Sequence, residues 1–96
     1  ALEEEFSTPT AYTLEQNYPN PFNPSTAICF SIPTASRVRV TVSDILGREV
    51  AQIADNTMGA GKHTITWDAS GFPTGVYFYT LTSDAVRLTK KMILMR

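Results

Sequence analysis

The sequence predicts an all-β fold, an immunoglobulin-like antiparallel β-sandwich of about seven strands. Short segments alternate apolar and polar residues with a period of two, as half-buried strands do. Clusters of glycine, proline, aspartate and serine separate these segments at regular spacing. Helical periodicity is nearly absent from the 96 residues. Together these features are typical of a sandwich of short strands.

Composition describes one globular domain. A chain of 96 residues suits a single domain with a modest core. Hydrophobic residues make up 43% and charged residues 18%, which is not the composition of a disordered chain. A net charge of −1 argues against a nucleic-acid partner, because such binding depends on neutralising phosphates. No apolar run approaches the length of a transmembrane segment.

The domain is predicted to begin with a stiff lead-in. Residues 1–13 read as a linker from a preceding domain of a larger protein, and residues 14–96 as the folded domain. The stretch "NYPNPFNP" at 17–24 can be neither a helix nor a central strand, because proline lacks an amide donor. An extended, polyproline-like segment is expected, with Tyr18 and Phe22 as apolar anchors.

Two strands and a hairpin turn follow the lead-in. Residues 26–32 place three apolar side chains on one face, and residues 37–43 place three valines on one face with arginine and threonine on the other. In "DILGRE", Gly47 supplies the positive-φ position of a tight turn. The segment "REVAQIA" at 48–54 then returns as a short strand.

Three more strands are predicted in the second half. Residues 63–67 place Ile65 and Trp67 on one face. Residues 75–82 carry apolar side chains on both faces, so this strand is expected to be central. Residues 86–96 form the last strand. Connections rich in turn residues are expected at 55–62, 68–75 and 83–85.

No catalytic, cofactor-binding or metal site is expected, so the chain is predicted not to be an enzyme. His63 is the single histidine and is interpreted as a solvated residue at a strand start. Cys29 is the single cysteine and is interpreted as a small hydrophobe in a strand. Four aspartates all fall in predicted turns, where their side chains bind nearby backbone: Asp44, Asp55, Asp68 and Asp84.

Two groups of side chains leave alternatives open. Tyr77, Phe78 and Tyr79 form either a sugar-stacking platform or, as we favour, part of the core. The terminal run is either a strand covered on both faces or an apolar patch between charges that a partner reads. Pairing of backbone to an exposed strand edge is one way to read it. The residues of this candidate recognition segment are Lys90, Lys91, Met92, Ile93, Leu94, Met95 and Arg96.

Four segments in order carry a family likeness: "LEQNYPNPFNPSTAICFSIP", "VRVTVSDILGREV", "HTITWDASGFPTGVYFYTL" and "KKMILMR". From Leu14 to Arg96 the chain resembles the C-terminal sorting domain, type A, of the cargo of the type IX secretion system (Por secretion). The residues that match the family motifs are Pro19, Asn20, Pro21, Gly75 and Tyr77, together with the terminal segment. The resemblance also implies the immunoglobulin-like fold.

The resemblance implies a function as an address label on a larger secreted protein. An outer-membrane translocon of Bacteroidetes-type bacteria would recognise the label and export the cargo to the cell surface or the medium. A sortase-like peptidase would then remove the label, with a cleavage site in residues 1–13. The alternative is a structural or carbohydrate-associated module that is retained on an extracellular enzyme. A weak homodimer through Cys29 or an uncovered edge strand is also considered.

Overall fold

The computed structural model describes residues 10–96, and these residues form seven strands and no helix. The predicted all-β sandwich is confirmed. The predicted linker and its cleavage site lie outside the described residues over positions 1–9. The strands are β1 (Thr13–Leu14), β2 (Ser25–Ile32), β3 (Ser36–Ser43), β4 (Glu49–Met58), β5 (Gly61–Asp68), β6 (Gly75–Thr82) and β7 (Arg87–Leu94).

The strands form two antiparallel sheets that pack face to face. One sheet has the order β1-β2-β5 and the other has the order β4-β3-β6-β7. β6 lies between β3 and β7, so the prediction that residues 75–82 form a central strand is confirmed. β7 is an edge strand of the larger sheet.

The core fills the space between the sheets with the side chains that the period-two patterns assigned to it. Three apolar residues from β2, three from β3 and three from β6 are buried, and Trp67 of β5 is buried beside them. Such interdigitation of two inner faces is the usual way in which a sandwich buries apolar area. The members from the three strands are Ile28, Phe30, Ile32, Val38, Val40, Val42, Tyr77, Tyr79 and Leu81.

The antiparallel order divides the connections between two opposite ends of the sandwich. Residues 33–35, 59–60 and 83–86 connect strands at one end, which we call the entry end. Residues 44–48 and 69–74 connect strands at the other end, and β7 also runs out there; we call this the distal end.

The N-terminal chain joins the sandwich at the entry end. The Tyr12 hydroxyl hydrogen-bonds Ser36 Oγ at 2.9 Å, and Thr13 pairs with Ser31. The folded part therefore starts before the predicted boundary at residue 14, because Tyr12 and Thr13 already contact the sheets. Tyr12 and Thr13 therefore lie at the end opposite to the terminal residues of β7.

β4 is longer than predicted. The connection was expected over residues 55–62, but β4 continues to Met58, which pairs with Ser36 of β3. Asp55 lies in this strand and not in a turn, and its carboxylate forms a salt bridge with Arg37 at 3.0 Å. β4 is an edge strand with one solvent-exposed face, so it accepts polar residues that resemble a loop in the sequence.

Candidate recognition site at the distal end

The proline-rich lead-in folds against the outer edge of β7. We call residues 16–24 the strap. Phe22 N–H donates to Ile93 O at 3.0 Å, Met95 N–H donates to Phe22 O at 3.0 Å, and Ile93 N–H donates to Asn20 Oδ1 at 3.0 Å. The expected extended segment is wrong in detail, because the strap is a series of bends. These bends let the Phe22 side chain enter the core while its backbone pairs with β7.

A buried tyrosine fastens the start of the strap. The Tyr79 hydroxyl donates to Glu15 O at 2.6 Å and accepts from Asn17 N–H at 2.8 Å. Burial raises the pKa of this hydroxyl, although the bond from Asn17 acts in the opposite direction. Next to this anchor, Gln16 Nε2 donates to Lys91 O at 2.7 Å. The strap is thus tied both to the core and to the terminal strand.

The terminal segment has two kinds of residue. Met92 and Leu94 are fully buried, so they stabilise the fold and are not available on its surface. Lys91 is exposed, Met95 is 56% exposed and Ile93 is half-buried. The segment is therefore a covered strand on its inner face and an accessible surface on its outer face.

A partner cannot recognise the end of β7 by pairing its backbone with this strand in this structure. The outward amide and carbonyl of Ile93, the carbonyl of Lys91 and the amide of Met95 all bond to the strap. The hypothesis that this edge is open is therefore wrong over residues 91–95, because the strap already supplies its partners. Lys90 is half-buried and faces a cleft beside Tyr12 and Leu88.

Arg96 has a structural role that its sequence position did not reveal. Its backbone N–H donates to Thr74 Oγ1 at 3.0 Å, and its Nη1 donates to Phe72 O at 2.9 Å. Hydrogen bonds from Ser70 lower the pKa of Asp68, and the nearby charge of Arg96 adds to the effect. The last residue of the chain therefore fixes the loop at 69–74.

A cluster of aromatic side chains packs beneath the surface of the distal end. The ring of Trp67 lies 5.9 Å from Phe22, 5.3 Å from Phe72 and 6.2 Å from Tyr77. The Tyr77 hydroxyl donates to Pro73 O at 2.6 Å. One tryptophan thus connects the strap, the 69–74 loop and β6.

The aromatic run of β6 is core and not a sugar platform. Tyr77 and Tyr79 point inward and are buried, and Phe78 alone of the three faces outward, where it is half-buried. Three neighbouring aromatic positions on a strand cannot share one face.

The family-motif residues gather at the distal end. Pro19 accepts a hydrogen bond from Thr26 Oγ1 at 3.0 Å, and Asn20 binds β7 as described above. Pro21 is exposed within the strap, next to Phe22. Gly75 begins β6, and Tyr77 lies two residues further on the inner face. The structure therefore brings together motifs that are more than 50 residues apart in the chain.

The turn at 44–48 carries surface residues that sequence reasoning missed. Asp44 Oδ1 accepts hydrogen bonds from the backbone N–H groups of Leu46 and Arg48, and Oδ2 accepts from Arg48 Nε at 2.9 Å. Gly47 has the predicted positive φ, 84°. This rigid turn leaves Ile45 70% exposed and Leu46 73% exposed. Two aliphatic residues inside a turn were the available signal.

The candidate chemical groups take structural roles. His63, which was interpreted as solvated, is half-buried: its ring stacks on Phe30 at 5.5 Å, and its Nε2 lies 2.7 Å from Gly59 O. Cys29 lies in β2 with its Sγ 3.4 Å from Thr64 Oγ1. Within residues 10–96, no group of three or more histidine, cysteine or acidic side chains is placed to hold a metal ion.

The sequence profile of the family described as "Secretion system C-terminal sorting domain" matches residues 16–95. The chain belongs to this family. It is therefore a sorting signal for type IX secretion, a domain that interacts with that secretion system and marks a protein for export by it. This membership decides for the address label and against the accessory module. No curated protein sequence matches the chain significantly.

A solved structure shares the fold. It is a chain of PorZ, an essential bacterial surface component of the type-IX secretion system of Porphyromonas gingivalis. The match has a TM-score of 0.59 and 19% sequence identity, and it covers 88% of this chain and 11% of that chain. At this identity the likeness shows the fold alone. The described residues contain no helix with the length and hydropathy of a membrane span.

Proposed function

We propose that this domain directs a larger cargo protein through the outer-membrane type IX translocon and that the translocon reads the folded distal end. One observation carries the proposal: the chain enters at one end, whereas the strap and the terminal segment bind each other at the opposite end. A cargo attached before residue 10 therefore leaves the distal end accessible.

The outer face of β7 supplies the contacts in this proposal. Lys91, Ile93 and Met95 present a cation and two apolar side chains, while Met92 and Leu94 hold the strand in place from within. Ile93 lies opposite Val76 of β6, and Lys91 lies opposite Phe78, so the apolar surface extends across two strands. A partner that combines apolar groups with a negative charge would fit this face.

After export, a sortase-like peptidase cuts within residues 1–13 and releases the label, and the cargo remains at the cell surface or in the medium. Entry of the chain at the far end from the recognition face supports this division of roles, because the peptidase and the translocon would approach different ends. The domain itself is non-enzymatic in this proposal. His63, Asp44, Asp55 and Asp68 all support that view, since each binds groups of its own fold.

The test is a paired measurement on a reporter protein fused before residue 1. The Lys91→Gln/Met95→Gln double variant should keep its thermal unfolding midpoint, because exposed side chains usually contribute within about 0.5 kcal/mol each. The amount of reporter outside cells that carry the type IX machinery should fall sharply. Arg87→Gln is the matched control, since it removes an exposed charge from the entry end of the same strand and face. Normal export of the folded double variant would refute recognition through this face.

A further inference from the structure

A gap in the larger sheet opens beside the terminal strand. β3 ends at Ser43, opposite Phe78, but β6 begins three residues earlier at Gly75. Residues 75–77 therefore pair with β7 on one side and have no β3 residue on the other. A pocket of about 320 Å³ occupies this place; its apolar wall consists of Ile45, Leu46, Pro73, Gly75, Val76 and Tyr77.

Gly75 leaves this pocket open, although the fold does not require a glycine at this position. Its φ is not positive, unlike those of Gly47, Gly61 and Gly71. A Cβ atom at this position would meet nothing within 4 Å. Glycine weakens a strand, and it often marks a place where a ligand or another chain comes close. Within the described residues, nothing fills the space that the missing side chain leaves.

The opposite wall of the pocket exposes apolar surface. The Asp44 hydrogen bonds hold Ile45 and Leu46 out in solvent on a rigid turn. Among residues 10–96, the other large apolar side chains that are exposed are Tyr18 and Met95, both at the distal end. Exposed apolar side chains that line a pocket often mark an interaction site.

We propose that the pocket between Ile45–Leu46 and Gly75 docks a bulky apolar side chain on a protein segment of the secretion machinery. The inference rests on the proposed function and extends it to a second contact. Val76 forms part of the pocket and pairs with Ile93, so the pocket continues into the outer face of the terminal strand. One partner can therefore cover both.

The chemistry of the pocket selects its occupant. Asp44 is the one acidic residue among the described residues of its lining, and the Arg48 guanidinium already forms a salt bridge with this carboxylate at 2.9 Å. The occupant of the pocket therefore needs no positive charge. The pocket is concave and lies between the protruding Ile45 and Leu46 on one side and Gly75 on the other, so it suits an apolar side chain that enters it. Absence of a Cβ at Gly75 allows the backbone of the partner to approach closely.

Gly75→Leu tests the proposal by filling the pocket. The variant should fold, because a Cβ atom at this position would meet nothing within 4 Å, and reporter export should fall about tenfold or more, the effect of losing roughly 1.4 kcal/mol of binding. Gly59→Leu is the matched control: this glycine also lacks a positive φ and any neighbour within 4 Å, and it lies at the entry end. Its export should equal that of the wild type.

The Ile45→Ser/Leu46→Ser double variant removes the other wall and decides the matter if Gly75→Leu does not fold. Wild-type export with unchanged export of a folded pocket variant overturns the docking site and leaves the sorting function intact. Failure of the wild-type fusion to leave the cell refutes the sorting function itself. If light scattering shows a dimer of the wild type that these variants lose, the pocket binds a second copy of the chain. If the wild type binds phospholipid vesicles and these variants do not, the pocket binds a membrane. Either result would also overturn the proposal.

Discussion

Replacing Tyr79 with phenylalanine should loosen the strap without emptying the core. The hydroxyl that is lost bridges Glu15 O and Asn17 N–H, and Asn17 is only 2% exposed. A buried N–H without an acceptor costs about 1–3 kcal/mol. With a total stability of roughly 5–15 kcal/mol, this loss is easily measured. If the urea m-value is about 1 kcal/mol/M, the midpoint should fall by about 1–3 M.

Tyr77→Phe is the control for this prediction, because it removes a comparable hydroxyl from the same strand. Its partner is the carbonyl of Pro73, an exposed residue, so water can replace the bond at little cost. Amide hydrogen exchange gives the local result: the amides of Ile93 and Met95 bond to the strap and should exchange faster in Tyr79→Phe alone. Equal midpoints for the two variants, with unchanged exchange at both amides, would refute the role of Tyr79 as the anchor.

Three further outcomes are expected. Trp67→Ala should lower the free energy of unfolding by about 3–5 kcal/mol, since its ring joins Phe22, Phe72 and Tyr77; an unchanged urea midpoint would contradict its burial. Burial raises the pKa of Tyr77 and Tyr79 above the ordinary 10.0, so their contribution to stability is complete below pH 10.0 and is lost as the pH rises further, which thermal melts at increasing pH will show. Arg96→Gln should lower the melting temperature more than Lys91→Gln, because Arg96 alone of the two binds the 69–74 loop; equal melts would remove that role.

The alternation of apolar and polar residues predicted the individual strands well but predicted the contacts between strands poorly. Alternation in β2 and β3 identified the apolar side chains that point inward, because one face of each strand packs against the core, but it did not identify the buried Thr26 on the same face. The same rule predicted too short a β4, because residues 55–57 of this strand are polar and lie on a solvent-exposed edge. The partial burial of His63 could not be predicted from its own segment, because the stacking of its ring on Phe30 depends on a cross-strand neighbour that lies 33 positions away in the chain.

The recognition site was predicted in part. The terminal segment and the proline motif were both singled out, but their mutual contact could not be, because the pairing of Phe22 with Leu94 joins distant parts of the chain. Arg96 appeared as a charge for a partner, whereas its guanidinium binds Phe72 O. The pocket at Gly75 depends on where β3 stops relative to β6, which is a matter of register that no single segment encodes.

Dimer formation through Cys29 or an edge strand stays a prediction. Cys29 faces away from the core, where it is half-buried beside Thr64. Light scattering of the purified domain with and without reductant would measure it. A dimer that disappears with reductant would point to Cys29, and a dimer that persists would point to a strand edge.

We expect the folded domain to suffice as an export signal for the type IX system. The most direct measurement is the amount of a reporter, fused before residue 1, outside two strains that differ only in the presence of the type IX translocon. We expect reporter in the medium or at the cell surface of the strain with the translocon, and retention of the reporter inside the cells of the other strain. Equal amounts outside both strains, or retention in both while the purified fusion is folded, would contradict it.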